Sequence, residues 1–484
     1  MRPDTLCMAP WTHTYLSPQT ERRLFCASRE PAQNFEQYID TSSGTGKYIP
    51  VTLEEHWNSE HMKSVRRRMM AGEILPECDV CNSQLLNTDV YRSYFNRLFA
   101  HKYDSAIANT LPDGTTSLKP VSWDYRFSNL CNFKCRMCGD MLSSAWESEQ
   151  RTNDMINWAD SKNNWMLPEV RQQITAFQDT QIEAEFAQAV EEHRVEEVYW
   201  VGGEPLMYEQ HWRYMRRIIE LGDGQNVYAR YNTNLSRIVY RDIELYRDIL
   251  VHLRDWQICA SLDGTGRTGE YIRTGLDYST YLLNFKEGLR YATNPRQMRI
   301  DFTLTLPGLT EVDRIQALAD ELGVDILAKV IFSFTPDIIL SPLALPRHLL
   351  DSTVDRLAST AGMAIYDCMQ FVKPGIHTIV MGQACSMGSL LAQAGSPGKR
   401  YMLPNARHMI HQPSGGARGQ ATDMLIQVNE IMEMKRNLTN IYVQHNSKGK
   451  TFEQLSADME RDNYMSSQQA LDYGLVDEIV TKRG

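Results

Sequence analysis

The sequence predicts an α/β protein in two parts, a larger part built on a parallel sheet or partial (β/α)6 barrel and a smaller α/β unit at the end of the chain. Three observations predict this division. At 484 residues the chain is too long for one ordinary core, because single domains hold ~150 residues. Between about residues 119 and 335, short apolar runs alternate with longer helical patterns. After about residue 360 the strand and helix signals are spaced differently, which indicates a second unit.

Composition narrows the class of protein. With 42% hydrophobic and 23% charged residues, the chain has the balance of a soluble globular protein. A formal charge of -10 argues against a nucleic-acid partner, which requires a cationic surface. Neither a signal peptide nor a membrane span is recognisable, so we expect no membrane association and a cytoplasmic location. Ten cysteines in such a chain favour metal binding or catalysis over disulfides.

Six short apolar runs predict the strands of the barrel, and longer helix-compatible segments separate them. This alternation is typical of a parallel sheet or barrel. In such folds, ligands bind at the carboxyl ends of the strands. The predicted strands cover residues 121–127, 195–201, 227–232, 256–262, 298–306 and 326–331.

A cysteine triplet follows the first predicted strand. Cys131, Cys135 and Cys138 have the spacing CX3CX2C. Three thiolates can ligate three irons of a [4Fe-4S] cluster and leave the fourth iron open, although a zinc site or reduced thiols fit the triplet alone. The second predicted strand runs into Gly202, Gly203 and Glu204, where glycines permit close approach of the backbone to a ligand and a carboxylate can accept hydrogen bonds.

The cysteine triplet and the GGEP segment at 202–205 together resemble the radical SAM enzymes. The resemblance implies a barrel of radical SAM type with S-adenosylmethionine bound to the open iron. It also implies an electron donor of flavodoxin or ferredoxin type, whose electron cleaves the sulfonium and releases a deoxyadenosyl radical. Gly202, Gly203 and Glu204 would then belong to the cofactor site, with Glu204 accepting from the ammonium group of S-adenosylmethionine.

Two shorter segments resemble the same family in the expected order. Thr233 and Asn234 resemble its TNG segment, although Leu235 replaces the glycine, and residues 261–264 resemble its SLDG segment. The resemblance makes Asn234 and Ser261 cofactor contacts. Taken singly, each segment would equally suit an ordinary turn.

Four cysteines precede the barrel, in residues 1–118. Cys7, Cys26, Cys78 and Cys81 resemble the SPASM or twitch region of radical SAM enzymes that modify peptides, where that region follows the barrel instead. Four thiolates suit either an auxiliary [4Fe-4S] cluster or a structural zinc, and the spacing does not separate the two. The resemblance implies a peptide or protein substrate.

Three segments of the tail point to a different chemistry. Residues 382–388, 409–413 and 460–462 read GQACSMG, MIHQP and ERD, and they resemble, in order, the carboxyl-terminal part of the Clp protease proteolytic subunit, a crotonase-like ββα fold. The resemblance makes Ser386 the nucleophile, His411 the base and Asp462 the orienting acid. The N–H of Met387 would face the developing oxyanion.

The first half of that family's fold has no counterpart here. Residues 355–360 read DRLAST where the family has an oxyanion-donating Ser-Pro-Gly-Gly segment, and residues 336–359 predict a linker with a helix. We therefore expect a truncated domain with an unpaired sheet edge. Three interpretations remain: a radical SAM enzyme fused to this domain, naturally or by a join of two reading frames near residue 360; a serine peptidase subunit with a large amino-terminal extension, whose missing half a partner chain supplies; or a zinc-stabilised binding protein with degenerate sites. If the peptidase part is functional, the resemblance implies ring-forming copies and a Clp ATPase as partners.

Overall fold

The computed structural model divides the chain into two compact units, Met1–Ser341 and Pro342–Gly484. It describes residues 5–28, 39–40, 47–83, 91–158, 161–330, 363, 365–367, 369–371, 373, 375–413 and 421–481. The linker predicted at 336–359 and the DRLAST segment at 355–360 lie outside the described residues.

Unit 1 is a mixed α/β unit in which strands and helices alternate after residue 120. Its described strands are β1 (His13–Leu16), β2 (Arg22–Arg23), β3 (Ile39–Asp40), β4 (Lys47–Tyr48), β5 (Ser122–Tyr125), β6 (Lys134–Cys135), β7 (Glu197–Trp200), β8 (Tyr228–Thr233), β9 (Val239–Tyr240), β10 (Ile243–Glu244), β11 (Asp255–Ser261), β12 (Arg273–Thr274), β13 (Met298–Leu304) and β14 (Asp325–Val330).

The helices of unit 1 follow the same alternation. They are α1 (Ala9–Thr12), α2 (Leu53–Trp57), α3 (Glu60–Met70), α4 (Asp79–Ser83), α5 (Tyr91–Phe99), α6 (Tyr103–Ala108), α7 (Ser144–Thr152), α8 (Pro168–Phe177), α9 (Glu183–Glu191), α10 (Glu209–Glu220), α11 (Leu245–Asp248), α12 (Gly266–Ile272), α13 (Tyr278–Tyr291) and α14 (Val312–Leu322). Short 3-10 turns lie at Pro76–Cys78, Ala100–Lys102, Asp140–Leu142, Ser161–Met166, Pro205–Met207, Gly224–Asn226, Leu250–His252 and Pro307–Glu311, and a π-helical turn at Gln178–Ile182.

One large sheet organises unit 1, in the strand order β14-β13-β11-β8-β7-β5-β1-β2. All pairs from β14 to β1 are parallel, and only β2 joins antiparallel. The six strands predicted from the sequence are all present, with ends shifted by at most two residues. The parallel sheet is thus confirmed, whereas its closure into a barrel stays a prediction. The front region contributes β1, which extends this sheet beside β5.

Alternation along the strands explains how the sheet packs. In β8, Ala229, Tyr231 and Thr233 are buried while the residues between them are half-buried. The buried side joins the main apolar core with Trp200 from β7 and Ile258 from β11. Helix α10 presents Trp212, Met215 and Ile218 to this core, a helical spacing that matches its amphipathic sequence.

The opposite side of the sheet is polar. The Tyr199 hydroxyl donates to Asn232 Oδ1 at 2.9 Å, and Asn232 Nδ2 donates to Asp301 Oδ2 at 2.6 Å. Lys329 completes this chain with an ion pair to Asp301 at 2.8 Å. Parallel sheets covered on both faces are normally apolar on both, so this polar face is suited to binding a polar molecule.

Unit 2 is a smaller α/β unit with two three-stranded sheets among its described residues, in the orders β15-β17-β20 and β16-β18-β19. The strands are β15 (Thr378–Val380), β16 (Gln383–Cys385), β17 (Arg400–Met402), β18 (Arg407–Ile410), β19 (Asn463–Ser466) and β20 (Glu478–Ile479). The helices, numbered on from unit 1, are α15 (Met387–Gln393), α16 (Ala421–His445), α17 (Phe452–Asp458) and α18 (Ser467–Tyr473).

Among the described residues, β15 and β16 are edge strands, and the open sheet edge expected from the truncated sequence stays a prediction. Within the described residues, β15 pairs only with β17 and β16 only with β18. Beside β15, the side chains of Ile379 and Met381 are 50% and 68% exposed, which is unusual for apolar residues in or next to a strand. None of the helices described in either unit is long and apolar enough to cross a membrane.

Candidate functional site

The cysteine loop begins six residues after the end of β5, at the carboxyl end of the parallel sheet. A hydrogen bond between the thiols of Cys135 and Cys138 raises the pKa of Cys135 and lowers that of Cys138. Burial raises the pKa of Cys131 to about 12, and Cys135 is among its electrostatic neighbours. The three thiols therefore lie near one another on one loop, at the position where the sequence predicts them.

The GGEP segment packs directly against that loop. The backbone N–H of Glu204 donates to the carbonyl of Leu130 at 2.7 Å. Gly203 has a left-handed φ of +54°, and a Cβ placed there would lie 2.4 Å from the Leu130 carbonyl oxygen. Gly202 has φ +85°, and a Cβ placed there would lie 2.7 Å from the side chain of Arg126. Gly202 and Gly203 are therefore both required, because a larger residue would clash with the end of β5 or with the backbone beside the cysteine loop.

We expect Gly203→Ala to lower the free energy of unfolding of unit 1 by about 3 kcal/mol, the sum of left-handed strain and overpacking. Gly222→Ala is the matched control, because Gly222 has φ +83° but nothing within 4 Å of an added Cβ. That variant should lose only about 1 kcal/mol, from strain alone. Urea unfolding followed by tryptophan fluorescence measures both, and equal losses would mean that the close approach at Leu130 is unimportant.

Glu204 is fully buried and connects the second and third family-like segments. Its Oε2 accepts from the backbone N–H of Asn234 at 2.7 Å, and its Oε1 accepts from the hydroxyl of Thr233 at 2.6 Å. The Asn234 side chain in turn donates to Asn132, inside the cysteine loop, at 3.0 Å. Glu204 and Asn234 are thus brought to the cysteine loop, as the sequence predicts.

Burial raises the pKa of Glu204 to about 7, and the hydrogen bonds from Thr233, Asn234 and Leu206 only partly oppose this shift. A carboxyl whose pKa is higher in the folded than in the unfolded state stabilises the fold at low pH and loses that contribution as pH rises. Between pH 4.5 and 8, we expect the free energy of unfolding of the wild type to fall by about 3 kcal/mol more than that of the Glu204→Gln variant. Urea titrations at several pH values measure this difference, and a difference independent of pH would contradict it.

Ser261 stands at the end of β11, the strand next to β8. The pairing of Ala260 with Thr233 places Ser261 one step along the sheet, beside Asn234. Ser261 is 9% exposed, so it lies inside the same edge of the sheet. Its predicted contact with the cofactor stays a prediction.

The front cysteines separate into two environments. Cys7, Cys78 and Cys81 belong to one small apolar core, and burial raises the pKa of Cys7 to about 12, with further contributions from Cys78 and Cys81. The thiol of Cys26 instead lies 3.1 Å from the Tyr91 hydroxyl. The charges that act on it come from Asp124, Arg126 and Arg230. These contacts group Cys7 with Cys78 and Cys81 and give Cys26 other neighbours.

Within the described parts of the chain, no three His, Cys, Asp or Glu side chains are already arranged as ligands around one metal position. The chemistry of the cysteine loop nevertheless suits an iron-sulfur cluster, because its donors are three thiols from a single loop. Without a metal, neighbouring thiols hydrogen-bond to one another, as Cys135 and Cys138 do. Ligation would replace those contacts and release the protons.

In unit 2 the strand register builds the predicted triad. Ile410 pairs with Asn463 in the antiparallel β18–β19 ladder, so the next residues outward, His411 and Asp462, face each other. His411 Nδ1 and Asp462 Oδ1 are 3.4 Å apart, and His411 Nε2 lies 2.8 Å from Ser386 Oγ. All three predicted residues are thus brought together, with the serine–histidine contact at hydrogen-bonding distance.

Ser386 occupies a strained turn between β16 and α15. Its backbone has φ 54° and ψ -125°, a conformation that a residue with a side chain rarely adopts and that is typical of an exposed nucleophile between a strand and a helix. The turn is held by the Ser386 N–H, which donates to the Met409 carbonyl at 3.1 Å. Met387 is the first residue of α15, so its N–H is free of helical hydrogen bonds and available to an oxyanion.

The acid of the triad is the least constrained member. The side chain of Asp462 is 59% exposed, whereas that of His411 is 16% exposed. A separation of 3.4 Å is longer than an ordinary N–H···O hydrogen bond, so Asp462 orients the ring of His411 only weakly. Nearby His408 is fully buried and burial lowers its pKa to about 4, so it belongs to the core and not to the triad.

Sequence reasoning assigned no role to two residues next to the cysteine loop. Arg273 lies 3.8 Å from the sulfur of Cys135. The Tyr208 hydroxyl donates to the carbonyls of Ser128, at 2.6 Å, and Gly202. Arg273 follows the SLDG-like segment in the sequence, but that position alone assigns it no role, and no sequence pattern indicates Tyr208.

Comparison with known protein families finds one match in the tail. Residues 358–483, about a quarter of the chain, match the family model described as Clp protease. The match contains Ser386, His411 and Asp462, so unit 2 is similar to a serine peptidase of the Clp type. It does not extend into unit 1.

Proposed function

We propose that the chain combines two separate chemistries, reductive cleavage of S-adenosylmethionine in unit 1 and Clp-type serine hydrolysis in unit 2. The first half of this proposal is supported chiefly by one observation. The cysteine loop, the GGEP segment and Asn234 come from different parts of the chain, yet hydrogen bonds join all three at the carboxyl end of one parallel sheet.

In unit 1, Cys131, Cys135 and Cys138 would hold a [4Fe-4S] cluster. The cluster, once reduced, would supply the electron that cleaves S-adenosylmethionine and starts radical chemistry. Glu204 would deprotonate as the ammonium group of S-adenosylmethionine approaches, because a nearby positive charge favours the carboxylate. The buried surroundings of Glu204 would strengthen that ion pair and exclude water from it.

The polar face of the sheet supports a polar substrate for unit 1. Arg230 lies between the rings of Tyr94 and Tyr199, with its guanidinium carbon 4.1 and 4.2 Å from their centroids, and pairs with Glu197 at 3.0 Å. A peptide or protein, as the front cysteines imply by resemblance, satisfies this chemistry. Cys7, Cys78 and Cys81 would form the basis of an auxiliary cluster or zinc site, with Cys26 as the fourth ligand only after rearrangement.

The test for unit 1 is anaerobic reconstitution of the full chain with iron and sulfide. Addition of dithionite and S-adenosylmethionine should yield 5′-deoxyadenosine, and a flavodoxin or ferredoxin should replace dithionite as electron donor. Iron analysis distinguishes this proposal from a zinc-stabilised binding protein. A chain that takes up zinc but no iron would contradict the radical chemistry.

In unit 2, Ser386 would attack an acyl group while His411 accepts its proton. The 2.8 Å contact between Ser386 Oγ and His411 Nε2 carries this part of the proposal. Met387 would donate one hydrogen bond to the oxyanion. Loss of one oxyanion donor costs ~10²- to 10³-fold in rate, so turnover would be slow unless another chain completes the site.

The edge positions of β15 and β16 among the described residues favour completion by further copies or by a related subunit, with a Clp ATPase as the partner that delivers substrate. A fluorophosphonate probe tests the triad directly. It should label Ser386 in the full chain, and a related complete peptidase subunit, if it supplies the missing part, should increase the labelling rate. Absence of labelling in both conditions would contradict an active hydrolase.

A further inference from the structure

The cysteine loop is held by a distant part of unit 1. Strand β6 pairs antiparallel with β12, and this pairing sets Cys135 opposite Arg273. The backbone N–H of Arg136 also donates to the Ile272 carbonyl at 2.9 Å. A Cβ on Gly275 would lie 2.8 Å from the ring of Phe133, so this glycine permits the close approach. Arg273 is therefore fixed beside the loop by main-chain contacts.

The guanidinium of Arg273 lies between a thiol and a carboxylate. Its Nη1 is 3.8 Å from the sulfur of Cys135, and its Nη2 donates to Asp263 Oδ1 at 3.1 Å. Its Nε approaches Asp263 Oδ2 to 2.7 Å as an ion pair, without the alignment of a hydrogen bond. The Asp263 side chain is itself anchored, because its Oδ1 accepts from the Thr303 N–H at 2.8 Å.

All of these groups are buried. The side chain of Arg273 is 9% exposed and that of Asp263 is 0% exposed. Burial alone would lower the pKa of Arg273, but Asp263 and the thiols of Cys135 and Cys138 outweigh it and raise the pKa. A buried guanidinium with one carboxylate partner is a costly element unless it performs a task.

We propose that Arg273, oriented by Asp263, is a positioning residue that supplies a counter-charge to the thiolate ligands of the cluster and raises the reduction potential of the cluster. This inference rests on the function proposed for unit 1. A positive charge and an N–H group near a ligating sulfur stabilise the reduced, more negative state of an iron-sulfur cluster. The low dielectric of the buried site strengthens this effect.

The test is a redox titration of the reconstituted full chain, monitored by electron paramagnetic resonance. At a fixed ambient potential, Arg273→Gln should lower the ratio of reduced to oxidised cluster about tenfold. For a one-electron couple this corresponds to a reduction potential that is ~59 mV lower. Asp263→Asn should raise that ratio, because the guanidinium then lacks its compensating charge. A merely structural pair would lower stability in both variants without shifting the two ratios in opposite directions.

Arg267→Gln is the matched control, because Arg267 is exposed on the neighbouring helix α12 and carries the same charge. Its titration should equal that of the wild type. If Arg273→Gln does not fold, the double variant with Asp263→Asn replaces it, since no unpaired charge is then buried. The double variant should still lower the ratio, because Arg273 lies nearer the sulfur.

The failures are distinguishable. A wild-type chain that assembles no cluster would overturn both the function proposed for unit 1 and this inference. A wild-type chain with a normal cluster, and variants whose ratios match the wild type or shift in the same direction, would overturn only the role of Arg273.

Discussion

Cys135→Ala is expected to abolish both cluster assembly and cleavage of S-adenosylmethionine by the reconstituted chain. Cys135 is the central thiol of the loop, with Cys138 hydrogen-bonded to it and Arg273 against its sulfur. With two thiolates left, the loop cannot ligate three irons. Iron per chain, the visible absorption of the cluster and the yield of 5′-deoxyadenosine measure the effect.

Cys259→Ala is the matched control for this prediction. Cys259 is also buried, in β11, but it lies outside the cysteine loop. The control should retain iron and deoxyadenosine formation close to the wild-type values. If Cys135→Ala retained the cluster, or if both variants lost it equally, the assignment of the loop would be wrong.

Ser386→Ala is expected to eliminate covalent labelling of unit 2 by an active-site serine probe, and His411→Ala to slow labelling by about 10⁴-fold or more. The Ser386→Ala variant lacks the nucleophilic hydroxyl. The His411→Ala variant lacks the base, whose Nε2 lies 2.8 Å from that hydroxyl in the wild type. Asp462→Asn should cost less than the ~10⁴-fold known for a buried triad acid, because Asp462 is 59% exposed and 3.4 Å from the ring.

His377→Ala is the control for the histidine variant. The ring of His377 stacks on Tyr401 at 6.0 Å between centroids and has no place in the triad. Labelling rates measured over a pH range separate the roles, since only His411→Ala should remove the dependence on a titrating base. Equal effects of the two histidine variants would contradict the triad.

The larger elements of the fold could be predicted because their causes are local. Apolar runs such as 227–232 and 256–262 specify buried strands of a parallel sheet, and the observed β8 and β11 differ from them by one residue at each end. The long helix α16 has an equally local cause, because the sequence from Ala421 to His445 is compatible with a helix throughout.

Some of the motif residues could also be predicted, because they follow the carboxyl end of a strand. Glu204 follows β7 in unit 1, and Ser386 follows β16 in unit 2. Within each sheet, parallel strands bring their carboxyl ends to the same edge. What the sequence could not provide was the set of long-range contacts. The placement of Arg273 opposite Cys135 depends on a pairing across 138 residues, and local patterns carry no information about it.

The separation of Cys26 from the other front cysteines has the same origin. The resemblance to the SPASM or twitch region suggested a set of four, yet the thiol of Cys26 lies 3.1 Å from the Tyr91 hydroxyl. The addition of β1 to the main sheet was equally hidden, because a four-residue strand has too little pattern to be recognised.

The central claim is that two independent chemistries share this chain, and one paired assay tests it most directly. Deoxyadenosine formation and serine-probe labelling are measured on the same reconstituted samples of wild type, Cys135→Ala and Ser386→Ala. We expect the wild type to show both signals, Cys135→Ala to lose only deoxyadenosine, and Ser386→Ala to lose only labelling. A wild type that forms no deoxyadenosine, or a variant that loses both signals while remaining folded, would contradict the claim.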